Sequence, residues 1–141
     1  MAKKVKTLTT EQGSALIESV LTLPLMLLLL AGIIQFGFLF NAKVAVNSAS
    51  FEAARQATAS LSPAVTAVRV AENYAGGSLP GWKIGERLEV AVSTAGGVGD
   101  SVTVRVTYQV PLFFEHLLPL TTTGGVMKVS GWSTMYIEER P

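Results

Sequence analysis

Hydrophobic positions follow a helical period in the first half of the chain and alternate in the second. From Ser19 to Phe40 no charged residue occurs. As a helix this uncharged run is about 33 Å long, against a hydrocarbon core of about 30 Å. Leu25 to Leu30 is apolar on every side, which excludes an amphipathic surface helix. The run also exceeds the roughly 7–15 residue apolar region of a secretory signal. Asn41 to Ala59 is alanine-rich, with Asn47, Glu52, Arg55 and Gln56 scattered through it and neither Gly nor Pro. Alanine is the best helix former, so one helix is predicted to run through the membrane segment and on to about Ser60.

Ser62-Pro63 reads as an N-cap followed by proline at the first helical position. Ala64, Ala67, Val68, Ala71, Tyr74 and Ala75 recur at helical spacing as a face to bury, and Gly76-Gly77 ends the element. The period then becomes two. Val102, Val104, Val106, Tyr108 and Val110 alternate with polar residues over Ser101–Val110, as do Leu88, Val90 and Val92 with Arg87, Glu89 and Ala91. "TAGGVGD" between them is turn chemistry and predicts an antiparallel hairpin. A third strand is expected over about Val126 to Glu138, without a clear inward face. The fold class is therefore α+β: a long N-terminal transmembrane and stalk helix, and a short second helix packed on a small antiparallel sheet of about three strands.

Composition supports a membrane segment. The 141 residues make at most one domain, only 15% are charged, and the mean hydropathy is +0.43. A net charge of +1 gives no electrostatic case for nucleic acid. There is no cysteine, which removes disulfides and thiolate chemistry. Lys3, Lys4 and Lys6 precede the run, with Glu11 opposing them, and Lys43 alone follows closely. The positive-inside bias thus predicts a cytoplasmic N-terminus and an extracytoplasmic C-terminal region. Pro24 is a candidate kink. Gly32 and Gly37 are small notches that would let another helix approach closely, but the frequency of glycine in membrane helices is the favoured reading.

One carboxylate stands out. Glu18 lies at the entry to the apolar run, where an ionised group is expensive unless it stays at the interface or finds a partner. Five residues before it is Gly13, flexible and without a side chain to block a protease. A cut after Gly13 would leave Ser14 with a new α-ammonium and Glu18 as the fifth residue. Buried charges are tolerated when paired, and a neighbouring subunit's ammonium would supply the partner.

A basic leader ending in Gly13, Glu18 five residues on and an apolar helix together resemble the cleavage motif of type IV prepilins and pseudopilins. Within that group the stretch is most similar to TadE-like proteins of tight-adherence (Tad, or Flp) pilus systems. The residues that carry the resemblance are Gly13, Glu18, Leu23-Pro24, Gly32-Ile33-Ile34, Phe36-Gly37 and Glu52-Ala53-Ala54-Arg55. Gln35 departs from the glutamate often found there. The likeness covers roughly the first 60 residues. It implies a leader over 1–13, a transmembrane helix over 14–40, a stalk continuation over 41–60 and an extracytoplasmic α+β domain over 61–141. It implies cleavage between Gly13 and Ser14 by a membrane-embedded aspartic prepilin peptidase. The product would be a minor pilin or assembly component without catalytic activity or cofactor, held in the inner membrane and partnered by other pilin or pseudopilin subunits.

Other chemistry is sparse. His116 is the only histidine, so a histidine cluster cannot form within one chain. Asp100 and the serines lack the G-x-S-x-G context of a nucleophile elbow. Gly96 to Gly99 has no phosphate-loop lysine and reads as a turn. Glu52 and Arg55 are three apart, the spacing of a surface ion pair. In "PLFFEHLLPL", Phe113 and Phe114 form an apolar group that is either a partner surface or part of a thin core. Two other readings stay open at this level: an exported enzyme or binding protein cleaved near Ala49, and an unrelated single-span membrane protein.

Overall fold

The computed structural model describes residues 10–79, 85–95, 97–112 and 125–137. The Phe113–Phe114 segment, His116 and the expected end of the third strand at Glu138 lie outside them. Helix α1 runs over Thr10–Thr58 and continues through Pro24. Helix α2 follows at Pro63–Gly76, then β1 (Leu88–Thr94), β2 (Ser101–Pro111) and β3 (Val126–Tyr136). The strands form one antiparallel sheet in the order β1-β2-β3, so the predicted α+β class and the hairpin both hold.

The chain divides between Ile34 and Gln35 into two compact units. In the first, Leu16, Val20, Leu25, Leu27 and Leu30 are all exposed. This is the surface expected of a helix whose solvent is lipid. Ser19 Oγ donates to the Ala15 carbonyl at 2.9 Å, which satisfies the hydroxyl within the helix.

The second unit holds the core. On α1 the buried residues are Ala42, Ala45, Val46, Ala49, Ser50, Ala53, Ala54 and Ala57. They recur at alternating steps of three and one, so a single stripe of the helix faces inward. Ser50, the one polar member, donates its hydroxyl to the Asn47 carbonyl at 2.8 Å. Opposite the stripe, Val102, Val104, Val106, Tyr108 and Val110 of the central strand β2 are buried, with Leu88 from β1. Small side chains on the helix let its backbone come close to the sheet. The approach is close at Gly131, which is buried in β3 and paired with Val106. A Cβ built there would lie 2.7 Å from the backbone nitrogen of Asn47 and 2.7 Å from the carbonyl carbon of Val46.

The register resolves the face of β3. Val129, Met135 and Ile137 pack on the core, while Trp132 and Tyr136 are exposed. At the far end of the sheet Gly99 N–H donates to the Ile137 carbonyl and Ile137 N–H to the Asp100 carbonyl, both at 2.9 Å. Two residues thus oppose one, with Gly99 at φ +86, which is a glycine β-bulge. Asp100 Oδ2 accepts from Gly97 N–H at 2.8 Å and fixes the preceding turn.

Helix α2 packs on β1 and β2, and details of its expected shape change. Its buried residues are Ala67, Val70, Ala71 and Ala75. Val70 joins the inward face, while Ala64 and Tyr74 are exposed. Ser62 occupies the N-cap position, but its side chain makes no capping bond. Ser60 substitutes in part: its Oγ accepts from Ser62 N–H at 3.2 Å and bonds Thr66 Oγ1 at 2.6 Å. Gly77 ends the helix in a right-handed conformation, φ −82.

These contacts predict opposite outcomes for two glycines. Gly131→Ala drives a methyl into the α1 backbone and is expected to destabilise the fold by about 1–3 kcal/mol. Gly77→Ala meets no atom within 4 Å and is expected to be neutral or stabilising by up to about 1 kcal/mol. Denaturant midpoints of the two variants in detergent, followed by tryptophan fluorescence, check both.

Candidate functional site

Gly13, Ser14 and Glu18 all lie on α1 and are exposed. Among the described residues, no heavy atom beyond the adjacent helix backbone comes within 4 Å of a Cβ built on Gly13. Positions 14 and 18 are four apart on one helix. They share a face, and the side chain at 18 leans back toward the helix N-terminus. Pro24 lies within the continuous helix.

The remaining motif residues acquire contacts in the second unit. Gln35 donates from Nε2 to the Pro111 carbonyl at 3.2 Å. Ala53 and Ala54 are fully buried, which accounts for two adjacent small residues beside an arginine. Arg55 meets Glu52 through a fork: Nε to Oε2 at 2.9 Å and Nη2 to Oε1 at 2.6 Å. Gln56 Nε2 adds a bond to Oε1 at 2.7 Å. The Arg55 bonds, then the Gln56 bond, hold the Glu52 carboxyl at a pKa of about 2. The expected ion pair is therefore present as a bidentate one. It is open to solvent, and screening keeps its contribution to stability small.

One feature was missed from sequence. A shallow concavity of about 460 Å³ is lined by Phe51, Tyr74 and Trp132, with Asn47, Ser48 and Glu52 at its polar margin. Its aromatic residues come from α1, α2 and β3, so no local pattern announces it. Among the described residues no group of three or more His, Cys, Asp or Glu is placed to hold a metal.

The fold thus presents an α+β domain built on the distal half of a helix, and the proximal half of that helix is a candidate membrane anchor. Residues 13–55 match the family model of TadE-like proteins, so the resemblance carried by Gly13, Glu18 and the Ala53-Ala54-Arg55 step is borne out over that segment. No curated protein and no solved structure matches the chain.

The Glu52 geometry has a pH signature. Its folded pKa lies below the ordinary value of 4.5, so its stabilising contribution is full above about pH 4.5 and is lost as pH falls through about 2. An NMR titration of the Glu52 carboxyl should have its midpoint near 2. In Arg55→Ala, which retains only the Gln56 bond, the midpoint should rise toward 4.5.

Proposed function

We propose that this protein is a pilin-like structural or assembly component of a Tad (Flp) pilus or a related secretion apparatus, without catalytic activity of its own. The observation that carries this reading is the TadE-like match over residues 13–55, which begins at Gly13 and ends at Arg55. A prepilin peptidase cuts between Gly13 and Ser14, and the mature chain begins with the α-ammonium of Ser14. That ammonium, on this chain or on a neighbour, pairs with Glu18 and offsets the cost of a carboxylate in the bilayer. The N-terminus is cytoplasmic, the sheet domain is extracytoplasmic, and the partners are other pilin or pseudopilin subunits.

Packing argues against the exported-protein alternative. A cut near Ala49 would remove Ala42, Ala45 and Val46 from the core and split the buried stripe at Ala49 and Ser50, both fully buried. Small residues at that position are accounted for by close packing.

Intact mass and N-terminal sequencing of membrane-extracted protein test the reading. In cells with a prepilin peptidase the chain should begin at Ser14, and in cells without one the leader should be retained. Glu18→Ala should still be cut but should be depleted from sheared pilus fractions. A chain starting near Ser50 in the soluble fraction would contradict the proposal.

A further inference from the structure

The aromatic concavity has no part in the function proposed above, yet it keeps three large rings in solvent. Phe51, Tyr74 and Trp132 are 54%, 46% and 68% exposed, although phenylalanine and tryptophan are ordinarily well buried. Every residue that lines it belongs to the unit beginning at Gln35. An apolar surface of this kind with a polar margin marks a place of interaction. The polar groups of the lining are unspent as well. Among the described residues, the side chains of Asn47, Ser48, Tyr74, Trp132 and Ser133 make no hydrogen bond. An amide, three hydroxyls and an indole N–H thus stay available around the three rings.

Charge narrows the class of ligand. Glu52 is the one charged residue of the lining, and the bidentate pair with Arg55 offsets its charge. Its Oε1 accepts from both Arg55 and Gln56. Its Oε2 accepts only from Arg55 Nε and keeps a lone pair. The carboxylate is therefore a fixed acceptor without net charge around it. A cationic ligand would meet the Arg55 guanidinium, which is 60% exposed. An anion would meet Glu52 and the negative faces of the rings. A purely apolar protein surface would strip water from the unspent polar groups and replace none of their bonds. An uncharged sugar meets each of these constraints. The C–H bonds on a face of its ring stack on the negative aromatic faces, and its hydroxyls both donate and accept.

We propose that this concavity binds an uncharged carbohydrate chain, with Trp132, Tyr74 and Phe51 as stacking faces and Asn47, Ser48 and Glu52 as the hydrogen-bonding margin. Its volume of about 460 Å³ lies within the range of small-ligand clefts, about 300–1,000 Å³. The shallow form suits the interior units of a chain, which need no enclosure at either end. The Glu52–Arg55 pair then has a use beyond its small effect on stability: it holds an acceptor in place while cancelling its charge. The occupant is carbohydrate whether or not the protein enters a pilus.

Titration of the full chain with cellotriose, chitotriose, maltotriose and mannotriose tests the site, in a polyoxyethylene detergent that carries neither sugar nor ammonium. Calorimetry gives the affinity, and tryptophan emission reports the location. At least one trisaccharide should bind and shift the emission. Trp132→Ala should weaken that binding about tenfold and abolish the shift, and Trp132→Phe should recover most of the affinity. Tyr74→Ala should weaken it independently. Both side chains are exposed, so neither variant should move the thermal unfolding midpoint followed by circular dichroism. No binding of any of the four at millimolar concentration would overturn the proposal, as would binding that both alanine variants leave unchanged. Tetramethylammonium bound in preference to the sugars would overturn it by making the rings a cation cage. Self-association lost in Trp132→Ala, without sugar binding, would assign the surface to a second copy instead.

Discussion

The structure depends on how closely the backbone of α1 approaches the sheet. A domain of about 80 residues without disulfides is near the lower limit for a stable core. Here much of one side of that core is supplied by the stripe from Ala42 to Ala57. The contact works because both surfaces are small where they meet: alanine methyls on the helix and Gly131 on β3. A larger residue on either side would lift the helix and expose the valines of β2. Helix and domain therefore share one core, and the segment that reads as a stalk by composition is a structural layer of the domain.

The two halves of α1 answer to different surroundings. The proximal half is apolar around its circumference, as a lipid solvent demands, and the distal half is amphipathic through alanine. Gln35 and Lys43 tie the distal half to the carbonyls of Pro111 and Ser130, so the domain is held at a defined height on that part of the helix. In the proposed role, a component taken from a bilayer into a fibre gains from this attachment. Its folded unit begins at Gln35 and includes the distal part of the helix.

Much of this is legible in the sequence. Strict alternation from Val102 to Val110 announces β2, and the residues from Gly13 to Arg55 carry a resemblance that the TadE-like family match covers. The alanine stripe reads only as helix propensity, because alanine serves both as a strong helix former and as a small packing residue. The face of β3 is obscured because its central inward position is Gly131, while Trp132 and Tyr136 point to solvent. An interior strand glycine is itself a signal of close backbone approach, and here it marks where β3 meets the backbone of α1. The aromatic concavity has no local signal, since Phe51, Tyr74 and Trp132 become neighbours only through folding.

The central claim is that residues 42–57 of α1 belong to the cooperative core and are not a separate stalk. Hydrogen–deuterium exchange of the full chain in vesicles measures this directly, because protection reports the free energy of opening for each segment. The account predicts that amides of residues 42–57 exchange as slowly as those of β2, and that Gly131→Ala accelerates both together. Fast exchange over 42–57 beside a protected β2 would show a helix that merely leans on an independent sheet, and would contradict it.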